Sequence, residues 1–378
     1  MSTSDLARRP AGVPGARHRG LDGLRGLAAL SVVGFHLWLY ARPDPPATAI
    51  NGGFDMFASD LRWGLILFFV LSGFLLYRPW LAAAEDGGAP SLVGYLRRRG
   101  ARILPAYYLA LVGSIALLWN ARSVPGVRLP SADTLPSFFV FGQNFSAHSL
   151  LTLDPPMWTL AVEVSFYLAL PLLGLLALRL SRVPKWTLPA AVMAFGMAWS
   201  AALIELGGPL TLTKILPALL PYFGLGMLAA TLTRKRTFGP RALGLIVLLG
   251  VGCQVVLESS ASPTLIAFAH DLPVAVGFTA LVVLASSARC PALLRARPLV
   301  AVGTVSYGLY LWHVPVIWWL RSVGALPLSP LAAAPVVLGL ALALATLSWF
   351  CVERRAIAWA KRDRPGYSGR PIASMSTR

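Results

Sequence analysis

Apolar stretches long enough to cross a lipid bilayer recur along the whole of this 378-residue chain. A transmembrane helix needs about 20 predominantly apolar residues. The sequence therefore predicts an all-α integral membrane protein, a bundle of about ten transmembrane helices. The count depends on two places: the seventh segment is short, and residues 132–145 form an apolar loop that could dip into the membrane. The ten segments lie at approximately 22–42, 60–80, 102–121, 157–178, 186–206, 214–233, 241–258, 264–286, 299–320 and 331–352.

The composition favours this fold class over a water-soluble one. Charged residues make up 13% of the chain, whereas soluble domains carry about 25%. The three cysteines, Cys253, Cys290 and Cys351, show no CxxC spacing. The sequence therefore predicts neither a disulfide framework nor a zinc site, and no metal cofactor is expected.

The distribution of the +18 net charge along the chain indicates how the protein is oriented in the membrane. If the N-terminus is cytoplasmic, most of the 33 Lys and Arg residues fall in cytoplasmic segments, as the positive-inside rule requires. We therefore predict a multi-pass protein of the cell (inner) membrane with both termini cytoplasmic. Anionic membrane lipid, rather than nucleic acid, is the expected partner of the basic charge. The basic residues assigned to the opposite side are Arg42, Arg62, Arg122, Arg128, Lys214 and Arg321.

The two ends of the chain differ from the apolar region between them. The tails 1–20 and 356–378 are basic and rich in Pro, Gly and Ser, and they are predicted to be disordered. Residues 21–355 then form the membrane domain. A signal peptide cleaved after Ala47–Ala49 is the alternative for the first span, but removing that span would reverse the charge distribution of the loops.

The first span, LDGLRGLAALSVVGFH, holds Arg25 and His36 within an apolar run. Eleven residues turn an α-helix by about 1100° and advance it by ~16 Å, so these two side chains share one face. Neutral imidazole can take a proton from a hydroxyl near pH 7, and arginine suits a phosphate-bearing donor. The alternatives are an Arg25 that snorkels to the surface and pairs with Asp22, and a His36 satisfied by an interhelical hydrogen bond.

Glu163, in the fourth span, is expected at a depth similar to that of His36. A lone carboxylate is costly in lipid, so Glu163 needs either a partner or a proton. We expect it to orient His36 as the second member of a dyad, as in His–carboxylate catalysis. The alternative is a pairing with a basic or hydroxyl group that serves packing alone.

The ninth span contains the motif GTVSYGLYLWHVP, whose polar residues are predicted to line a substrate cavity. Ser306, Tyr310 and His313 follow a helical spacing and share one face, and Tyr307 lies three residues before Tyr310. Anchoring at the membrane interface is the alternative for the tyrosines.

Two further residues complete the predicted cavity. Ser72 lies in FFVLSGFLL in the second span, and Asn144 lies in FGQNF in the apolar loop. Beside Gly73, Ser72 has close helix contact as its alternative role. Glu353, in the terminal VERR, is expected to meet an arginine at the membrane surface.

The motif RRRGARILP concentrates positive charge before the third span, at Arg97, Arg98, Arg99 and Arg102. Guanidinium groups bind phosphate bidentately. Because Arg25 is expected to emerge on the same side, we predict that Arg98, Arg99 and Arg102 hold the phosphates of a nucleotide-bearing donor. A purely topogenic role is the alternative.

Taken together and in order, these motifs resemble the acyltransferase-3 family of integral membrane O-acyltransferases. The resemblance covers about residues 20–355 and rests on LDGLRGLAALSVVGFH, FFVLSGFLL, RRRGARILPAYY, MWTLAVEVSFY, GTVSYGLYLWHVP and VERR. It implies a bundle of about ten helices. It also implies transfer of an acyl group, often acetyl from acetyl-CoA, to hydroxyls of glycans, cell-envelope polymers or glycosylated small metabolites.

The resemblance also implies roles for particular residues. Arg25 and His36 match the family's essential pair, Arg99 and Arg102 match its cytoplasmic arginine motif, and Glu163 matches its acidic residue in the fourth span. Some members carry a fused extracytoplasmic esterase-like domain, which is not expected here. The protein would then complete the transfer itself or pass its product to a separate extracytoplasmic transferase.

The predicted function is therefore an O-acyltransferase that uses acetyl-CoA or another acyl-CoA. Its acceptor is a hydroxyl of a glycan, a lipid-linked sugar or a glycosylated small metabolite. His36 acts as general base, and an acyl-histidine intermediate is left open. The rival is a proton-coupled transporter or flippase, although the chain has no paired Gly/Pro-broken spans. The terminal VERR departs from the family's E-R/K-P pattern, which leaves Arg355 without an assigned role.

Overall fold

The computed structural model describes residues 18–46, 50, 52–85, 88, 90–179, 183–234, 236–260 and 271–362. These residues are helical or irregular, with no strand among them. The helices are α1 (Arg19–Tyr40), α2 (Gly53–Asp60), α3 (Gly64–Glu85), α4 (Leu92–Leu117), α5 (Pro136–Phe139), α6 (Met157–Arg179), α7 (Thr187–Glu205), α8 (Leu210–Thr213), α9 (Leu216–Leu232), α10 (Pro240–Ser260), α11 (Leu272–Ser286), α12 (Arg297–Ser322), α13 (Pro330–Ser348) and α14 (Arg354–Arg362).

The all-α membrane bundle predicted from the sequence is confirmed. Within the described ranges, nine helical segments are long and apolar enough to cross a membrane. The eighth predicted span, 264–286, appears as the 15-residue helix α11, and residues 264–270 of that prediction lie outside the described residues. The cytoplasmic placement of both termini stays a prediction.

The remaining sequence-based boundaries differ in detail from the structure. The apolar loop 132–145 folds into α5 and a short 3-10 turn, Gln143–Phe145. Of the two predicted tails, residues 1–17 and 363–378 lie outside the described residues. The adjoining residues 19–20 and 356–362 are helical, as the ends of α1 and α14.

Helices α1 and α12 pack together at glycines, which allows their backbones to approach closely. A Cβ atom built on Gly303 would lie 1.8 Å from the carbonyl oxygen of Asp22, and one built on Gly26 would lie 2.4 Å from that of Leu299. No other residue fits at such distances. This contact lies along the part of α1 that carries Arg25 and His36.

A second close contact joins α3 to α9. A Cβ atom on Gly73 would lie 2.1 Å from the carbonyl oxygen of Phe223. The expectation that this small residue permits close helix packing is therefore confirmed. The contact leaves the preceding side chain, Ser72, free to face α6.

We predict that Gly303→Ala lowers the melting temperature of the detergent-solubilised protein. The added methyl group must displace the backbone of α1, and overpacking of this kind costs about 1–3 kcal/mol. Gly339→Ala, on α13, is the matched control because no heavy atom lies within 4 Å of the added carbon. Alanine also favours the helix by about 1 kcal/mol there. Equal melting temperatures for the two variants would contradict the close packing of α1 on α12.

Candidate functional site

Two neighbouring cavities are both lined by residues of α1, α3, α6 and α12, with α4 adding to the first and α9 and α10 adding to the second. The first, here called the arginine cavity, has a volume of about 310 Å³ and is lined by Arg25, Arg99, Arg102 and Glu163. The second, called the histidine cavity, has a volume of about 480 Å³ and is lined by His36. The linings of the two cavities share four residues: Leu65, Phe69, Thr159 and Tyr310.

Arg25 and His36 therefore lie on one helix but open into different cavities. Arg25 donates to Asp22 Oδ1 at 3.0 Å, which confirms the predicted pairing of these two residues. Both residues belong to the continuous helix α1, in which their separation along the axis is ~16 Å. Helix α1 therefore runs from the arginine cavity, which Arg25 lines, to the histidine cavity, which His36 lines.

Arg102 is held in place by α12 and by the end of α13. Its Nη1 lies 3.7 Å from Glu353 Oε2, so the expected arginine partner of Glu353 is present. Glu353 is fully buried and closes a π-helical turn, Trp349–Glu353. The guanidinium of Arg102 also lies 5.9 Å from the ring centre of Tyr307 and 5.5 Å from that of Trp349. These contacts fix the cation at the cavity wall.

Glu163 lies in the arginine cavity and accepts hydrogen bonds from two hydroxyl groups. Ser72 Oγ donates to Glu163 Oε1 at 2.9 Å, and Tyr167 Oη donates to the same atom at 2.5 Å. The Arg99 guanidinium lies 6.0 Å from the ring centre of Tyr167. The carboxylate is thereby surrounded by partners that compensate its burial.

The expected Glu163–His36 dyad is wrong. His36 contacts another histidine instead, because α12 rather than α6 packs against this face of α1. The distance from His313 Nε2 to His36 Nδ1 is 3.1 Å. The sequence predicts similar depths in the membrane for Glu163 and His36, but the two side chains open into separate cavities.

The hydrogen bonds of the two histidines determine where their protons lie. Carbonyl oxygens only accept, so His313 Nδ1 donates to Leu309 O at 3.1 Å and His36 Nδ1 donates to Val32 O at 2.9 Å. Because His36 Nδ1 carries a proton, His313 Nε2 must be the acceptor of their contact. Neutral His36 therefore keeps its lone pair on Nε2, and His36 lines the histidine cavity.

Thr159 and Tyr310 form a polar contact where the two cavities meet. Thr159 Oγ1 and Tyr310 Oη are 2.7 Å apart, and both hydroxyls lie close to Pro156 O. The Tyr310 ring centre is 5.9 Å from that of His313. The junction is therefore next to the histidine pair.

A cluster of charged residues in the histidine cavity was not singled out from the sequence. Arg62 donates through Nη1 to Asp271 Oδ1 at 2.8 Å and through Nη2 to Glu258 Oε1 at 2.6 Å. Gln254 and Lys214 line the same cavity. The sequence signal for this cluster is charge beside apolar segments, and for Arg62 and Lys214 that signal is equally consistent with a role in membrane topology alone.

Other predicted site residues divide between cavity walls and supporting positions. Ser306 and Tyr307 line the arginine cavity and use their hydroxyls to bind Gly303 O at 3.0 Å and Ile103 O at 3.1 Å. His313 is fully buried behind His36. Arg98 is exposed and is absent from the walls of both cavities.

Asn144 is a structural residue, so its assignment to the substrate cavity is wrong. Its Nδ2 donates to Trp158 O at 2.8 Å and to Lys214 O at 2.5 Å. The side chain thus connects the loop before α6 to the segment between α8 and α9. The sequence could not show this, because the contact spans 70 residues.

The described residues contain no group of three or more His, Cys, Asp or Glu side chains able to hold a metal ion. The two cavities present guanidinium, ammonium, imidazole, carboxylate, amide and hydroxyl groups. Arg25, Arg99 and Arg102 line one cavity, and an imidazole with an available lone pair lines the next.

Comparison with known proteins identifies the class. A family model described as an acyltransferase domain, Acyl_transf_3, matches residues 18–350. The chain belongs to this acyltransferase family, as its motifs indicated. No solved structure matches it.

The curated relatives are O-acetyltransferases by name. The chain is 26% identical over 323 residues to the peptidoglycan O-acetyltransferase OatA of Listeria monocytogenes, covering 79% of this chain and 49% of that protein. It is 27% identical over 331 residues to the putative peptidoglycan O-acetyltransferase YrhL of Bacillus subtilis, covering 79% and 48%. The O-acetyltransferase OatA of Staphylococcus aureus is 22% identical over 332 residues, covering 80% and 51%. The chain thus spans about half the length of these relatives.

We predict that Asn144→Ala lowers the free energy of unfolding by about 1–3 kcal/mol, because two carbonyl groups lose their donor. The exposed Asn120→Ala is the control and is expected to stay within ~0.5 kcal/mol of the parent. Thermal melting in detergent measures both. If the Asn144 variant has the same melting temperature as the parent protein but no longer binds substrate, Asn144 is a residue of the substrate cavity after all.

Proposed function

We propose that this protein is a membrane O-acyltransferase that moves an acyl group, acetyl by default, from acyl-CoA to a hydroxyl group. The observation that carries the proposal is the junction of the two cavities. Three arginines line one cavity, His36 lines the other, and Thr159 and Tyr310 belong to both. A thioester bound in the first cavity is thereby delivered to the imidazole in the second.

The arginine cavity suits the phosphates of the donor. Arg25, Arg99 and Arg102 line it together, and guanidinium groups bind phosphate bidentately. From Arg25 to His36 the donor's extended arm has to cover ~16 Å along α1. Arg98, which is exposed, would meet the donor only outside the cavity.

His36 supplies the general base in this proposal. Its Nε2 takes the proton of the acceptor hydroxyl, and the oxygen attacks the thioester carbon. The C–S bond then breaks, coenzyme A leaves as the thiolate, and the imidazolium returns its proton to the sulfur. His313 acts as a positioning residue, because its Nε2 accepts from His36 Nδ1 and so keeps the lone pair on Nε2.

Glu163 and Arg25 retain roles in the arginine cavity. Glu163 offsets the charge of the neighbouring guanidinium groups and holds Ser72 and Tyr167 through its hydrogen bonds. Arg25, fixed by Asp22, binds donor phosphate or stabilises negative charge that develops near the junction. These are the roles that the observed contacts support in place of an oriented dyad.

The acceptor is proposed to be a hydroxyl-bearing glycan, a lipid-linked sugar or a glycosylated small metabolite of the cell envelope. Support comes from the names of the relatives, two of which refer to peptidoglycan. The acyl group reaches the acceptor from the cytoplasmic side of the inner membrane, either directly or through a separate extracytoplasmic transferase.

We expect His36→Ala and His36→Gln to lose acyl transfer by roughly 10²-fold or more, the contribution of a general base. The measurement is transfer of labelled acetyl from acetyl-CoA in proteoliposomes, with an extract of the source cell as acceptor. The exposed His148→Ala is the matched control and is expected to keep its activity. Full activity in a folded His36 variant would make this histidine structural.

The same assay separates the enzyme from a transporter. A proton-coupled transporter or flippase leaves the thioester intact, whereas an acyltransferase consumes it. If the parent protein leaves acetyl-CoA and longer acyl-CoA thioesters unchanged in the presence of the native extract, the transporter interpretation replaces the proposed function.

We expect Arg102→Ala to raise the KM for acyl-CoA by about tenfold or more, since a charge-assisted hydrogen bond contributes about 1.5–3 kcal/mol. Arg99→Ala is expected to act in the same direction, which separates donor binding from the Arg102–Glu353 contact. Arg236→Ala, an exposed arginine outside both cavities, is the control. An unchanged KM in both cavity variants would place the donor elsewhere.

A further inference from the structure

The wall of the histidine cavity contains a hydrogen-bonded cluster to which the proposed reaction assigns no role. Arg62 links two carboxylates that are distant in sequence, Glu258 on α10 and Asp271 beside the start of α11. Gln254, one turn before Glu258, donates to both of the same oxygen atoms, at 2.9 Å and 3.4 Å. All four residues line the cavity that contains His36.

These contacts determine the orientation of the Gln254 amide. Ionised carboxylates only accept hydrogen bonds, so the nitrogen Nε2 must face Glu258 and Asp271. The oxygen Oε1 then points away from the carboxylates. The donor side of this amide is satisfied by the protein, and the acceptor side is left for another group.

The acceptor side of Gln254 is buried, and it has no donor among the residues that the structure describes. The side chain is 1% exposed, and Oε1 accepts no hydrogen bond from any described residue. Leaving a buried acceptor unsatisfied destabilises the folded protein. If Arg62 and the two carboxylates served only to hold the helices together, the Gln254 amide would not be needed.

We propose that Gln254 is a specificity-determining residue of the acceptor site. It binds a second hydroxyl of the acceptor, close to the hydroxyl that His36 deprotonates. Glu258 and Asp271 hold the amide in the orientation that presents Oε1. This inference rests on the proposed function, and it narrows the acceptor to an uncharged polyol such as a sugar ring.

The chemistry of the cavity favours an uncharged, hydroxyl-rich ligand over an anion. Both terminal nitrogens of Arg62 are already bound to carboxylates, and the Lys214 ammonium lies 4.6 Å from the ring centre of Trp158. An anionic group at Gln254 would face an acceptor oxygen and two carboxylates. A hydroxyl, in contrast, donates to Oε1.

The shape and the aromatic lining agree with a sugar ring. The volume of about 480 Å³ lies within the ~300–1,000 Å³ of small-molecule sites. Tyr40, Trp158 and Tyr222 line the same cavity. Aromatic rings of this kind pack against the apolar C–H faces of a sugar, while the polar groups orient its hydroxyls.

The test measures ligand binding apart from turnover. The full chain in lipid nanodiscs is mixed with methyl β-D-glucopyranoside, and saturation-transfer NMR detects the bound sugar. Tetrahydropyran-2-methanol, which has the same ring and one hydroxyl, is the comparison probe. The variants are Gln254→Met, which keeps the length of the side chain, and Cys253→Met, which places the same new side chain on the exposed face of α10.

We expect the parent protein and Cys253→Met to bind the glucoside in the millimolar range, and the single-hydroxyl probe at least about tenfold more weakly. Gln254→Met should weaken glucoside binding about tenfold and raise the KM for the acceptor, with the KM for acyl-CoA unchanged. The variant loses the unsatisfied acceptor but also the donor to Glu258 and Asp271, so thermal melting checks that it is folded at the temperature of the binding measurement.

The outcomes separate the inference from the proposed function. Acyl transfer by the parent protein, with equal glucoside binding by Gln254→Met, would overturn the role of Gln254 and leave the transferase in place. Glucoside binding that depends on Gln254, without any thioester consumption, would retain the sugar site and reject the transferase. If the parent does not bind the glucoside in the millimolar range, or if the single-hydroxyl probe binds as well, the polyol site is wrong.

Discussion

The close approach of α1 and α12 is the contact on which the rest of this structure depends. Gly26 on α1 and Gly303 on α12 let the two backbones approach so closely that a Cβ atom at either position would collide with a carbonyl oxygen of the other helix. Because the helices are this close, His36 meets His313 directly. Both cavities are built against this pair of helices, and α3, α4, α6, α9 and α10 supply the other helical walls.

Glu163, Arg102 and the two histidines lie at membrane depth and each has polar partners, as the low dielectric favours. Glu163 accepts from Ser72 and Tyr167, and Arg102 meets Glu353. The histidine pair solves the same problem without an ion: a chain of donors and acceptors runs from His36 through His313 to a backbone carbonyl. The same hydrogen bonds therefore do two things: they compensate the energetic cost of burying these groups, and they hold the side chains of the site in fixed orientations.

Much of the site could be predicted from helical periodicity. The predictions that were wrong have a common cause. The spacing of Arg25 and His36 correctly placed both on one helix, and that of Asp22 predicted its pairing with Arg25, because such relations are local. The Glu163–His36 dyad was inferred from depth alone. Depth says how far along the membrane normal a residue lies, but it does not say which helix is its neighbour.

By itself, the sequence determined the helical membrane class, the approximate spans and the set of buried ionisable residues, because each depends on local hydropathy and helical period. Only the tertiary structure decided which of these residues meet. It divided Arg25 from His36 between two cavities, assigned Asn144 to a loop contact, and assembled Arg62, Gln254, Glu258 and Asp271 from distant segments. Those pairings depend on long-range helix packing, which no local pattern encodes.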